Sequence, residues 1–182
     1  EGNLSICLVA NLRRVKNIPF LIKAARYLIG EYPLLRFVVM GEGPERTSLE
    51  KMIVEYELED KFHLLGSIDS PGDVAANCNI AVLTSHSESL SNALLEYSAL
   101  GLPIVAFDVG GNKEIVENNK SGFLIEMNNH DSFILKLKLL INDGEMRRKL
   151  GDYGRELVKE RFSKEKCIGA YENCYETLLK NK

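Results

Sequence analysis

Short runs of almost uninterrupted apolar residues recur along this chain of 182 residues: ICLVA, FVVM, IAVL and IVAF. A strand with one wet face alternates apolar and polar side chains, whereas continuous runs belong to strands covered on both faces. Longer segments with apolar residues at helical spacing stand between the runs. This alternation from end to end is the pattern of a parallel sheet flanked by helices.

In chain order, strands are predicted over residues 4–10, 35–40, 62–65, 80–83, 104–107 and 122–125. Helices are predicted over 18–32, 44–56, 71–77, 91–100 and 113–118, the fourth of these stopped by Gly101 and Pro103. From residue 130 to 179 the pattern is helical, with Phe133, Leu137 and Leu140 on one stripe. The expected architecture is a doubly wound, Rossmann-like α/β sheet of six parallel strands, helices on both faces, and a helical C-terminal extension. The length suits a single domain over residues 1–182. The chain opens on Glu1 and enters a strand almost at once, so a segment of a longer protein is expected.

Composition removes several classes of function. Lys and Arg number 23 against 26 Asp and Glu, a net charge of -3, which leaves no excess of positive charge for a nucleic acid backbone. Cys7, Cys78, Cys167 and Cys174 form no CxxC pair and no metal-ligand spacing, and are read as reduced thiols. No bound metal or cofactor is expected. No apolar run approaches the roughly 18 residues of a membrane span, and the opening residues lack the layout of a signal peptide. The expected address is cytoplasmic, with any peripheral attachment at the inner face of the membrane made through a part of the protein outside these residues.

In open parallel sheets, ligands bind at the carboxyl ends of the strands, where helix N-termini point free amides into the crevice. The loops there carry the candidate chemistry. After the first strand, Arg13, Arg14 and Lys16 precede a helix, either as a diphosphate site or as a solvated basic loop. After the second comes Gly41-Glu42-Gly43-Pro44, where glycines permit close backbone approach and proline suits a first helical turn. Arg46 stands where a dinucleotide fingerprint needs its third glycine, and the element follows the wrong strand, so a nicotinamide cofactor is disfavoured.

The richest stretch is Ser85-His86-Ser87-Glu88-Ser89-Leu90-Ser91-Asn92, leading into a helix that carries Glu96. The amides of Leu90, Ser91 and Asn92 would form a helix N-terminus fit for a phosphate, and Glu96 lies one turn beyond Asn92 on the same face. A carboxylate at that depth accepts hydrogen bonds from a ribose diol, and one in the loop orients sugar hydroxyls. Read without context, the plainer alternative is that Glu88 helps cap the helix and Glu96 is an exposed helical acid. Gly110 and Gly111 either admit a phosphate or merely turn the chain, and Glu114 either faces ligand or caps a helix. His63 and His86 show no nucleophile partner and are read as structural.

Glu88 and Glu96 with seven residues between them, then Ala99-Leu100-Gly101-Leu102-Pro103, then Asp108-Val109-Gly110-Gly111-Asn112-Lys113-Glu114, resemble the signature of the glycosyltransferase group 1 family, also called family 4. The likeness extends to the basic first loop, the Gly41–Pro44 turn and Ser121-Gly122-Phe123-Leu124. The family's members are GT-B enzymes of two Rossmann-like domains, and this chain resembles the second, donor-binding one. The resemblance implies a retaining transferase acting on a UDP- or GDP-hexose in polysaccharide, glycolipid or other cell-surface glycan synthesis, its acceptor domain absent here and the isolated chain inactive.

By the same resemblance Lys16, assisted by Arg13, would contact the donor diphosphate, Leu90, Ser91 and Asn92 its distal phosphate, and Glu96 the ribose. Glu88 would hold hydroxyls of the transferred sugar. Leu65 and Gly66, with Gly41 and Gly43 nearby, would frame the base, and Gly110 and Gly111 would lie at the donor cleft. The sequence departs from the family at Asn11, where arginine is frequent, and at Ser89-Leu90-Ser91, where Gly-Phe-Pro is frequent. A GT-B nucleotide-sugar epimerase and a non-enzymatic nucleotide-binding module are the competing expectations.

Overall fold

A computed structural model describes residues 3–127 and 129–180. Its centre is one six-stranded sheet, all parallel, in the order β3-β2-β1-β4-β5-β6. The strands are β1 (Ser5–Val9), β2 (Arg36–Met40), β3 (Phe62–Gly66), β4 (Ile80–Leu83), β5 (Ile104–Phe107) and β6 (Gly122–Ile125). Every residue of β4 and β5 is buried, as continuous apolar runs require. The chain alternates strand and helix as far as β6, which makes the crossovers right-handed and places helices on both faces.

The helices are α1 (Ile18–Glu31), α2 (Arg46–Glu55), α3 (Pro71–Ala75), α4 (Asn92–Leu100), α5 (Asn112–Ile115), α6 (His130–Asn142), α7 (Gly144–Arg161) and α8 (Lys164–Lys180). One face of the sheet is covered by α1, α2 and α6, and the other by α3, α4 and α7. On the first face Phe20 of α1, Phe107 of β5 and Phe133 of α6 form an aromatic triangle with centroids 5.2, 5.2 and 5.0 Å apart. Each such pair adds about 0.5–1.5 kcal/mol beyond its area burial. On the second face Tyr97 of α4 is fully buried, and its hydroxyl accepts a hydrogen bond from the Val9 N–H. Burial pushes its phenol well above the ordinary range, so it stays neutral.

Two segments differ from the sequence expectation. The helix predicted over 113–118 is the shorter α5, because Val116 turns extended and Asn119 adopts φ 65°. Side chains there replace helical bonds: Ser121 Oγ accepts from the Glu117 N–H at 2.9 Å, and Asn118 Oδ1 from the Leu124 N–H at 3.1 Å. The helical tail is three helices. Asp143 breaks it in an extended conformation and caps α7, its side chain accepting from the Met146 N–H at 2.8 Å. None of the described residues of α8 is buried, and Tyr171, Tyr175, Leu178 and Leu179 are exposed along it. Cys7 and Cys78 are buried, Cys167 and Cys174 are exposed, and all four are free thiols.

The docking of α7 rests on two devices. A β-carbon at Gly151 would stand 1.9 Å from the carbonyl oxygen of Gly101, so only glycine lets α7 lie against the end of α4. Arg155 Nη2 then donates to the Leu100 carbonyl at 2.8 Å, capping α4. At the far end Glu117 accepts from the Tyr153 hydroxyl at 2.7 Å and from Arg161 at 2.6 Å, and pairs with Lys120 at 3.2 Å. Tyr153 first, with Lys120 and Arg161, holds the Glu117 carboxyl down at about 2.

Gly151→Ala is expected to cost about 1–3 kcal/mol, the range for forced overpacking; an unchanged urea midpoint would remove the close approach as its cause. Because the folded pKa of Glu117 lies below its unfolded value, its contribution is complete above the unfolded pKa of about 4.3 and is lost as pH falls toward 2. Glu117→Gln should flatten that acid limb of the thermal midpoint and leave the slope above pH 6 alone.

Candidate functional site

The strand order runs outward from β1 through β2 to β3 on one side and from β4 through β5 to β6 on the other. At this reversal the connections after β1 and β4 part to opposite faces, leaving a crevice at their carboxyl ends. The crevice has a volume of about 320 Å³ and is lined by Val9, Ala10, Asn11 and Lys16 on one wall. Leu83, Glu88, Leu90, Ser91, Asn92, Ala93 and Glu96 line the other. Larger concavities of about 410 and 530 Å³ lie at the opposite edge of the sheet and between α1 and α6, away from these groups.

Lys16 ends a 3-10 turn, Arg14–Lys16, that Asn17 stops with φ 51°. Its ammonium meets Glu88 Oε1 at 2.6 Å, with the two side chains 20% and 10% exposed. Two further bonds hold the loops in register: Thr84 Oγ1 donates to the Lys16 carbonyl, and the His86 N–H donates to the Val15 carbonyl, both at 2.8 Å. The first loop is therefore tied to the loop after β4 by two backbone carbonyls and one ion pair.

A third loop presses on the same acid. Gly110 adopts φ 51°, and a β-carbon there would stand 1.7 Å from the Glu88 carbonyl oxygen. The Gly111 N–H donates to the Ser89 carbonyl at 2.8 Å. In this geometry the glycine pair turns and packs: it seats the backbone that carries Glu88, and the Gly111 amide has a partner. Glu114 is exposed and stands near Gly111.

Ser91 is the N-cap of α4, its hydroxyl accepting from the Leu94 N–H at 3.4 Å. The preceding amides, Asn92 and Ala93, are helix-start donors that no intrahelical carbonyl can reach, and both residues line the crevice. Glu96 follows one turn later and lines it as well. The lining carries one cation and two carboxylates, so an anion held here relies on Lys16 and on the α4 amides.

Lys16, Glu88, Leu90, Ser91, Asn92 and Glu96 are thus brought together as the sequence predicts. The structure adds Asn11, Ala93 and Thr84; Thr84 gave no signal because its role is a hydroxyl donated across two loops. Arg13 falls outside this lining and borders a separate cavity with Arg14 and His86. Gly41 and Gly43 pack on the first loop, where β-carbons would stand 2.0 Å from the Ala10 carbonyl oxygen and 2.5 Å from that of Leu12. The Gly41 N–H donates to the Gly66 carbonyl at 2.7 Å, and Leu65 is about half exposed at the edge strand, two strands away from β1. His63 is half-buried in β3.

Glu88→Gln leaves Lys16 without its anion. The freed ammonium should bind inorganic pyrophosphate about 3–10-fold more tightly by calorimetry, the scale of one charge-assisted contact in a half-screened site. A weaker or equal affinity would mean that the carboxylate does not compete for Lys16.

The family described as glycosyl transferases group 1 matches residues 1–157. N-acetyl-alpha-D-glucosaminyl L-malate synthase of Bacillus anthracis is 28% identical over 173 residues, 95% of this chain and 45% of that protein. Poly(ribitol-phosphate) alpha-N-acetylglucosaminyltransferase of Staphylococcus aureus is 27% identical over 92% of this chain and 34% of its own length. A crystal structure of S. aureus TarM with fondaparinux, alpha-GlcNAc-glycerol and UDP superposes with a TM-score of 0.89 at 26% identity, over 94% of this chain and 35% of that one. The chain spans less than half the length of these relatives. No helix among the described residues is long and apolar enough to cross a membrane. The chain belongs to the glycosyl transferases group 1 family.

Proposed function

We propose that this chain is the donor-binding half of a retaining hexosyltransferase of glycan synthesis, taking its sugar from a UDP- or GDP-activated donor. The observation that carries the proposal is the convergence of Lys16, Glu88, Glu96 and the start of α4 on one crevice at the strand reversal. The UDP bound in the TarM crystal supports a nucleotide donor.

In the reaction the bond between the sugar's anomeric carbon and the diphosphate breaks, so negative charge grows on the leaving diphosphate while the sugar becomes oxocarbenium-like. Lys16 and the Asn92 and Ala93 amides stabilise that charge without reorganising, which is where electrostatic catalysis is strongest. Glu88, fixed by three loops, is positioned for hydroxyls of the transferred sugar. Glu96, a turn deeper along α4, takes the ribose diol. From there the ends of β2 and β3, about 5 and 10 Å further along the sheet edge, offer Gly41–Pro44 and Leu65–Gly66 to the base. No metal ion is needed in this scheme, since the chain's own donors meet the diphosphate.

L-malate and poly(ribitol-phosphate), for which the two relatives are named, both carry anionic groups. An anionic acceptor, held chiefly by the remainder of the protein, completes the proposal.

In the full-length protein Lys16→Ala should lower kcat by about 10²–10³-fold, as loss of a donor to developing negative charge does. Glu96→Ala should instead raise the donor KM by roughly 10-fold or more with kcat nearly held, the effect of a lost charge-assisted hydrogen bond. Steady-state kinetics with UDP- and GDP-hexoses separate the two, and near-normal turnover by the Lys16 variant would sink the assignment.

A further inference from the structure

The 3-10 turn at Arg14–Lys16 divides the basic loop between two places. Lys16 enters the crevice, whereas Arg13 and Arg14 border a second cavity of about 190 Å³ on the far side of the same loop. That cavity is closed by Asn17 and Ile18 at the start of α1, by Glu45 before α2, and by His86. The His86 N–H donating to Val15 fixes the imidazole's origin beside the two arginines.

Several other arginines of the chain bond within the fold. Arg46 engages Glu42 and Glu50, Arg147 the carbonyls of Leu140 and Ile141, Arg155 those of Ala99 and Leu100, and Arg161 the Glu117 carboxylate. Arg13 and Arg14 have no side-chain hydrogen bond or acidic partner among the described residues, although Glu45 shares their cavity. Both side chains, like that of His86, are exposed, and two guanidiniums lining one cavity can meet an anion through bidentate contacts. The cavity has room for a phosphoryl group and too little for a nucleotide. Glu45 at its wall accepts hydrogen bonds only, which favours a phosphoryl group whose carrier also has a hydroxyl.

We propose that Arg13, Arg14 and His86 form a second anion site beside the crevice, and that it takes a phosphoryl group of a polyhydroxylated acceptor while the donor occupies the crevice. This assignment rests on the donor proposal above for the meaning of the crevice, and it moves Arg13 from the donor diphosphate to the acceptor.

The test is a titration of the 182-residue chain followed by backbone amide NMR, with Ile18 and His86 reporting the second site and Asn92 and Ala93 the crevice. With the crevice saturated by UDP, inorganic phosphate should still shift Ile18 and His86. Arg14→Gln should weaken that response by about tenfold, the scale of one charge-assisted contact, while the UDP response at Ala93 persists. Glycerol 3-phosphate should bind there more tightly than inorganic phosphate, with Glu45→Gln removing the difference. Phosphate shifts confined to Asn92 and Ala93 would overturn the proposal. So would UDP alone saturating both sets, which would return the arginines to the donor's diphosphate. If UDP and GDP both leave Ala93 unmoved, the donor proposal falls, and the phosphate response at Ile18 and His86 still decides the second site.

Discussion

A parallel sheet buried on both faces leaves its chain few places to be polar. Every crossover must return along a face, so loops gather at the two edges and all helix starts collect at the carboxyl one. In this chain the constraint is sharpened by the reversal between β1 and β4, where the covering helices part and leave a gap that no apolar side chain fills. Tyr97 anchors the arrangement from beneath, bridging the buried side of α4 to the last residue of β1. Those two walls of the crevice are in this way parts of one packed unit.

Most of the fold was legible because it depends on pattern. The runs in β1, β2, β4 and β5 announce two-sided burial, and Gly101 with Pro103 marks the end of α4. What escaped depends on single long-range contacts. The truncation of α5 follows from Asn118 and Ser121 side chains bonding to backbone across the turn, and the break at Asp143 from one capping carboxylate within a segment of continuous helical periodicity. Neither alters the apolar stripe on which the sequence expectation rests.

The candidate site divides along the same line. Glu88 and Glu96 fall around a helix start whose local geometry is legible, whereas singling them out with Lys16 as site residues rests on the family resemblance. That Lys16 and Glu88 touch is a fact of tertiary structure between residues 72 positions apart. Arg13 illustrates the opposite case, being close to Lys16 in sequence yet turned to another cavity by a 3-10 turn of three residues. Gly110 and Gly111 stay open by sequence between admitting a phosphate and turning the chain, because glycine permits any close approach; the structure brings the protein's own backbone at Glu88 and Ser89 against them.

The seating of Glu88 has an evolutionary corollary. Its backbone is hemmed in by Gly110, its side chain by Lys16, and the loop before it by Thr84 and His86, so its coordinates cannot drift without several compensating changes at once. Change at this site is therefore channelled into neighbours that bear no such constraint. Ser87 and Leu90 are exposed on the same loop, and each can be exchanged singly without moving the acid.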